Sequence, residues 1–207
     1  MKDAPVISSS GLNVTTSLSL LERARARDEA AWRRLAELYE PVVLRWCRRA
    51  DLDDTDAADV RQEVFLAVAA RIGEFRRGED GQTFRGWLRA IARNKIYDVW
   101  RKKPANHAPT GGSDAYEQLL EVRDRRRPDH GDAEFAEEAA ILYRKALELV
   151  ATDFQEVSWK AFWRVVIDGQ PPAGVARDLQ ITRNAVYIAK CRVLQRLREE
   201  FRDLIDG

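Results

Sequence analysis

The densest chemistry in this sequence lies between Phe84 and Lys103, FRGWLRAIARNKIYDVWRKK, where Arg85, Arg89, Arg93, Lys95, Arg101, Lys102 and Lys103 oppose a single acid, Asp98. Trp87, Tyr97 and Trp100 are interleaved with these charges, and the balance is +6 over 20 residues. Basic side chains attract phosphates regardless of sequence, and aromatic faces stack on unpaired bases, so the pattern suits nucleic acid that is partly single-stranded. A solvated amphipathic helix with its Trp residues in the core explains any one of these residues equally well. It explains less well seven cations with no obvious partners.

A second constellation, VARDLQITRNAVYIAKCRVLQRLRE from Val175 to Glu199, reads as a short helix, a turn of Gln180, Ile181 and Thr182, and a longer helix. Ala176 is small where the two helices would cross, and Ile181 and Val186 would fill the gap between them. Thr182 is placed to cap the second helix by accepting from backbone N–H groups two or three residues on. Such a helix-turn-helix enters the major groove by the N-terminal end of its second helix. Here that end offers Arg183, Asn184 and Tyr187, followed by Lys190 and Arg192, and six basic residues oppose one acid from Arg177 to Arg198. Any helical hairpin imitates this pattern, so alone it is a hypothesis.

The third stretch, DAADVRQEVFLAVAARIGEF from Asp56 to Phe75, is acidic and polar on one side, with Asp59, Gln62 and Glu63 clustered and Phe65 nearby. A metal ion needs oxygen donors converging from several sides, and one helix with Asp and Glu four apart supplies only part of such a set. A solvated acidic face is the plain reading. A docking face for a basic or apolar partner is the sharper one.

These residues need helices to position them, and the spacing of apolar residues supplies helices throughout. From Asp28 to Ala50, Ala31, Leu35, Leu38, Tyr39, Val42, Val43 and Trp46 recur at three-and-four spacing. Pro41 within this run predicts a kink or break near Glu40. A second helix is expected over about 56–72, with Val60, Val64, Val68 and Ile72 on one face and an acidic first turn that complements the helix dipole. A third runs over about 83–103 with Leu88, Ile91, Ala92, Ile96 and Val99 inward, and 73–82 reads as a loop. Further helices are expected over about 133–151, 153–168, 172–179 and 183–204. With no alternating strand pattern and no repeat, the fold class is all-α.

The 207 residues carry 35 Lys+Arg and 34 Asp+Glu, a formal charge of only +1. That total conceals three parts: +4 over residues 1–104, −5 over 105–140 and +2 over 141–207. Pro104, Pro109, Gly111, Gly112, Pro128 and Gly131 punctuate the middle part, which therefore reads as a flexible acidic linker between two small helical domains. Cys47 and Cys191 stand alone, with only His107 and His130 as further soft ligands, so neither a disulfide framework nor a zinc site is expected and a reducing cytosol fits. No apolar run approaches a membrane span, and Met1 to Ser19 lacks the apolar block of a secretory signal.

In their order and spacing, DAADVRQEVFLAVAARI, FRGWLRAIARNKIYDVWRK and the helix-turn-helix resemble the small extracytoplasmic-function (ECF) type of bacterial RNA polymerase sigma factor. The likeness covers about residues 20–104, matching the family's region 2, and 136–203, matching region 4. It implies region 2 over 21–104, an acidic linker over 105–135 and region 4 over 136–207, while residues 1–20, Ser/Thr-rich after Pro5, are expected to be disordered. Asp56, Asp59, Gln62, Glu63 and Phe65 then match the surface that docks on the clamp coiled coil of the largest polymerase subunit. Arg76, Arg77, Trp87, Arg93, Asn94, Lys95, Asp98, Trp100, Arg101, Lys102 and Lys103 match the part that recognises and helps open the minus-ten element. The loop Gly73 to Phe84 matches the one that captures a flipped base, and unstacking that base costs a few kcal/mol.

For the minus-thirty-five element the resemblance implies Arg177, Thr182, Arg183, Asn184, Tyr187, Lys190 and Arg192. The acidic linker would thread toward the RNA exit path and, carrying charge of the same sign as RNA, occupy a positively charged channel until RNA displaces it. The implied partners are core RNA polymerase, promoter DNA and an anti-sigma factor; no cofactor, metal, catalysis or small-molecule substrate is expected, and the free chain is expected to be a cytoplasmic monomer. The sequence departs from the family at Gln180, where Gly is usual, and at Tyr187, Ile188 and Ala189, where many relatives carry Lys-Ser-Arg. A stand-alone helix-turn-helix regulator is the main alternative, but it leaves the first hundred residues unexplained. A DNA-processing enzyme lacks a convincing carboxylate set or activated nucleophile.

Overall fold

The computed structural model describes residues 19–76, 83–102, 132–202 and 204, and among these every regular element is helical. The expected site residues Arg77 and Lys103, the segment before Ser19 and most of the expected linker lie outside the described residues.

Helix α1 (Leu20–Arg25) was not expected from apolar spacing. It is set by a capping box: Ser19 Oγ accepts from the Glu22 amide at 3.3 Å, and the Glu22 carboxylate accepts from the Ser19 amide at 2.7 Å. That backbone donor is the main reason the Glu22 carboxyl is held below its ordinary value, with Arg202 adding to it. Helix α2 (Glu29–Arg49) is capped by Asp28, whose Oδ1 accepts from the Ala31 amide at 3.1 Å. Of the kink or break expected near Glu40, the break does not occur. Pro41 removes one donor and crowds the Glu37 carbonyl, but Leu38, Tyr39, Val42 and Val43 on either side are wholly buried, so packing carries one helix through it.

Helix α3 (Asp54–Arg71) is capped by Asp53 and buries Ala57, Val60, Val64 and Val68. Helix α4 (Phe84–Lys102) starts where Thr83 Oγ1 accepts from the Gly86 amide at 3.1 Å, and it buries Leu88, Ile91, Ala92 and Ile96. Helix α5 (Asp132–Ala151) begins four residues inside the stretch read as linker. Helices α6 (Glu156–Val166), α7 (Pro172–Asp178) and α8 (Arg183–Phe201) follow.

The stripes on α1 to α4 close one core, and that core continues into Leu142, Ala146, Leu149 and Val150 of α5, Phe162 of α6, Val193 and Phe201 of α8, and Leu204. The helix-turn-helix keeps a small core of its own, Ala161, Val175, Ala176, Val186 and Ala189. The two helical parts therefore meet, with α5 against α2 and the end of α8 against α1. Polar contacts fasten this seam. Tyr39 Oη donates to the Leu204 carbonyl at 3.3 Å, and Arg34 pairs with Glu200 at 2.6 Å and Asp153 at 3.3 Å. Arg196 joins the same two acids, each at 2.9 Å.

Candidate functional site

The face of α3 that points away from the core carries Asp59, Gln62, Glu63 and Leu66, all exposed. Leu66 is 63 % exposed, the most exposed large apolar side chain described. It borders a groove of about 310 Å³ between α2 and α3, lined also by Trp32, Ala36, Gln62, Phe65 and Ala69. Phe65 is half-buried because its ring meets Trp32 edge-on, with centroids 6.5 Å apart. Asp56 sits differently. It lies half-buried in the first turn, its amide donating to the Asp53 cap at 2.9 Å. Leu66 and Trp32 were missed in the sequence, although Leu66 is an apolar residue off the Val60–Val64–Val68 stripe, which is the signal that finds it.

On α4 four of the seven cations expected to lack partners have them. Lys95 Nζ reaches Glu63 of α3 at 3.1 Å, and Arg101 pairs with Asp98 one turn back at 3.2 Å. Arg85 and Arg89 turn toward α5, so they belong to the seam. Arg93, Asn94, Tyr97 and Trp100 are half-buried or exposed, and Lys102 is exposed. Trp87 is corrected as a stacking platform: it is buried against Phe75 and Phe84, at centroid distances of 5.4 and 5.7 Å, and no base reaches its faces in this arrangement. Arg25 of α1 donates to the carbonyls of Ile72 and Phe75, and Arg76 donates to the Gly73 carbonyl at 2.6 Å. The chain entering residues 77–82 is thus fixed from α1 and from the aromatic cluster.

The helix-turn-helix has the geometry its sequence implies. Thr182 Oγ1 accepts from the Ala185 amide at 3.0 Å, Val186 is buried in the gap and Ile181 packs beside it. The turn is a Schellman motif: the Ile181 amide donates to Ala176 O at 3.0 Å and the Gln180 amide to Arg177 O at 3.2 Å. Its left-handed position falls on Gln180, at φ 54°, where a side chain costs about 1 kcal/mol relative to glycine. Arg164 ties α6 to α7 through Asp178 at 2.6 Å. Arg177, Arg183, Asn184 and Tyr187 are exposed, as is Arg192, and Lys190 is half-buried. Among the described residues Arg177, Arg183, Lys190 and Arg192 form no ion pair. Cys191 shares this surface. Cys47 does not: burial pushes its thiol up to about 11, which leaves it a packing residue.

The acids at the start of α5 meet α2 and α4. Arg49 and Arg89 reach Glu134 at 2.7 and 2.8 Å, and Arg45 pairs with Glu137. Trp46 Nε1 donates to Glu138 Oε1 at 2.7 Å, with Arg89 at 3.6 Å and Arg85 at 3.9 Å from the same carboxylate. Four of the nine acids in residues 105–140 fall within α5, and three of them make these contacts. Much of the acidity read as belonging to a linker is therefore part of a folded seam.

With this geometry in place, three comparisons bear on the chain. A family model for sigma-70 region 2 matches residues 35–105. The ECF RNA polymerase sigma factor SigD of Mycobacterium tuberculosis is 30 % identical over 188 residues, covering 88 % of this chain and 82 % of that protein. The ECF RNA polymerase sigma factor BldN of Streptomyces coelicolor is 30 % identical over 126 residues, covering 60 % of this chain and 45 % of that one. A chain in a solved RsbN-BldN complex is 21 % identical over 86 % of this chain and 96 % of its own, at a TM-score of 0.35.

Proposed function

This chain belongs to the ECF family of RNA polymerase sigma factors, and from that premise we propose how its surfaces divide the work. It is a dissociable transcription initiation factor that directs RNA polymerase to promoters, and core polymerase and promoter DNA are its partners. In our reading it contributes no catalysis; the polymerase supplies the phosphoryl chemistry, in the cytoplasm where that enzyme works. Region 2 spans α1 to α4 and region 4 spans α5 to α8. A withholding partner of the anti-sigma kind completes the proposed set.

The observation that carries this division is the presence of two unsatisfied surfaces of opposite character on one chain. The α3 face, Asp59, Gln62 and Glu63 around Leu66 and the Phe65 groove, is acidic with an apolar centre and fits a basic, apolar coiled coil. The α7–α8 surface is basic, with four cations that form no ion pair among the described residues around a capped helix N-terminus, and fits duplex DNA at the upstream element. Between them, Arg76, Arg93, Asn94, Trp100, Arg101 and Lys102 line the minus-ten role, while Trp87 serves it by holding Phe75 and Phe84 at the loop ends. Lys95 and Asp98 help orient α4, through Glu63 and Arg101. A stand-alone helix-turn-helix regulator gives the α3 groove nothing to do.

Run-off transcription tests the function. Core polymerase with this protein should yield promoter-specific transcripts that core alone does not, and failure of the protein to bind core would sink the proposal. Within it, Arg183→Ala should weaken binding to an upstream-element duplex by about 1–3 kcal/mol, read by fluorescence anisotropy of the holoenzyme. The Thr182 cap is untouched, so helix content should hold. Unchanged affinity would move the reading face away from the start of α8.

A further inference from the structure

Where α5 lies against α2, the two helices wall an open cleft of about 650 Å³. Helix α2 presents Pro41, Leu44, Arg45 and Arg48 to it, and α5 presents Ile141, Arg144, Lys145 and Glu148. Both sets follow the i, i+3, i+4, i+7 spacing of a single helix face. Leu44 and Ile141 are half-buried against the core, so they form an apolar floor. Arg48 and Arg144 are exposed and stand at the rim. With Arg49, five cations line the cleft against two acids. Both acids are engaged, Glu40 by Arg61 of α3 and Glu148 by Lys145 at 3.3 Å.

The cations are less well served. Arg48 and Arg144 form no ion pair among the described residues. Arg49 reaches Glu134 through one nitrogen, and Arg45 pairs with Glu137 through Nη2. Arg45 Nε is buried and has no acceptor. A buried donor left without an acceptor is costly, and an anionic oxygen bound beside it would supply one. Guanidinium carries five donors in a planar fork that fits phosphate oxygens two at a time. None of these cations belongs to the surfaces assigned above to polymerase or to a promoter element. A bare phosphate backbone would also leave the Leu44 and Ile141 floor unused, whereas a ligand with an apolar ring and a charged tail uses both floor and rim.

We propose that this cleft binds a nucleoside polyphosphate, with its base on the Leu44 and Ile141 floor and its phosphates among Arg45, Arg48, Arg144 and Lys145. An apolar surface with a few convergent charged groups is the ordinary make-up of a small-molecule site, and the volume is of the ordinary size. Because the donors come from two helices, the ligand binds fully only while α5 lies on α2. By linkage it strengthens that contact, which makes the junction of the two helical parts sensitive to nucleotide concentration. The site needs neither polymerase nor promoter, so its test is independent of run-off transcription.

The experiment is isothermal titration calorimetry of the full chain with AMP, ADP, ATP and inorganic triphosphate, at one salt concentration and without divalent cations. ATP should bind at least about tenfold more tightly than AMP, with ADP between them, as charge-assisted contacts accumulate. Inorganic triphosphate should bind at least about fivefold more weakly than ATP, because it leaves the apolar floor empty. Arg48→Gln combined with Arg144→Gln should weaken ATP by about tenfold or more, and Arg144→Lys, which keeps the charge and loses the fork, should fall between. ATP should raise the Tm of the wild type and not that of the double variant. Failure of ATP to bind, or unchanged affinity in the double variant, would overturn the proposal. So would equal affinity for triphosphate and ATP, which is what surface charge alone gives. Displacement of ATP by a single-stranded oligonucleotide at equal phosphate concentration would make the cleft a nucleic-acid contact and overturn it too. If circular dichroism shows that the double variant loses helix content, Arg144→Gln alone decides: a smaller loss of affinity supports the proposal and no loss overturns it.

Discussion

Phe84→Ala should lower the unfolding free energy by about 3–5 kcal/mol, the cost of emptying a buried phenyl site. For a chain of this size that corresponds to a fall in Tm of roughly 10 °C. Phe84 is wholly buried and meets three rings: Tyr39 edge-on at 5.1 Å, Phe75 edge-on at 5.5 Å and Trp87 at 5.7 Å. Each such aromatic pair adds about 0.5–1.5 kcal/mol beyond area burial. The site cannot collapse easily, because Tyr39 is held from its far end by the Leu204 carbonyl and Phe75 by its carbonyl bond to Arg25. Burial also raises the Tyr39 hydroxyl well above the usual phenol value, so no alkaline titration in the working range loosens the cluster.

Thermal unfolding followed by far-ultraviolet circular dichroism measures the change, and Phe84→Leu should recover most of the loss. A drop of less than about 1 kcal/mol in Phe84→Ala would mean the rings repack around the hole. The functional consequence follows from position. Phe75 and Phe84 bracket residues 76–83, so the same cavity frees both ends of the loop assigned to base capture. Below its Tm the variant should keep core binding on α3 and lose promoter opening.

The helices were legible because their apolar stripes recur at helical spacing, and the turn at Gln180 was legible because a Schellman ending needs a left-handed residue whatever its type. The α1 helix escaped notice because a six-residue helix has too few turns for a stripe; its only local sign is the Ser19–Glu22 capping pair. Pro41 does not break α2 because the buried neighbours Leu38, Tyr39, Val42 and Val43, invisible to a local steric argument, hold the helix together. The roles of Arg85, Arg89 and Trp87 were hidden for a different reason. Their partners Glu134 and Glu138 lie some 45 residues away in sequence, and Phe75 lies across a loop. Segment charge recorded the acids near 132–138 but not their pairing, since a sum over residues carries no geometry. Leu66 is the converse case. It was visible as an apolar residue off its stripe, and only its exposure beside a groove turns that irregularity into a candidate anchor.

Leu66→Asp combined with Asp59→Arg should cost core-polymerase binding more than any other surface change in this protein. A central apolar anchor in an interface is typically worth about 2 kcal/mol or more, and each 1.4 kcal/mol is tenfold, so Leu66→Asp alone should weaken affinity by about 30-fold. Asp59→Arg adds charge reversal at the rim, which acts chiefly on the association rate and its salt dependence. The two effects are therefore separable in kinetics. Leu66→Asp should speed dissociation, while Asp59→Arg should slow association most at low salt. Neither residue touches the buried stripe of Val60, Val64 and Val68, so helix content and Tm should stay near wild type. Glu63 is a poorer choice for reversal because it holds Lys95 of α4 at 3.1 Å, and its loss would disturb the helix proposed to meet the minus-ten element along with docking. Surface-immobilised core polymerase reads both rates, and run-off transcription should fall in proportion to occupancy and recover when the variant is supplied in excess. Wild-type affinity in the double variant would remove α3 from the docking surface. A transcription loss that excess protein does not rescue would place these residues in promoter opening instead.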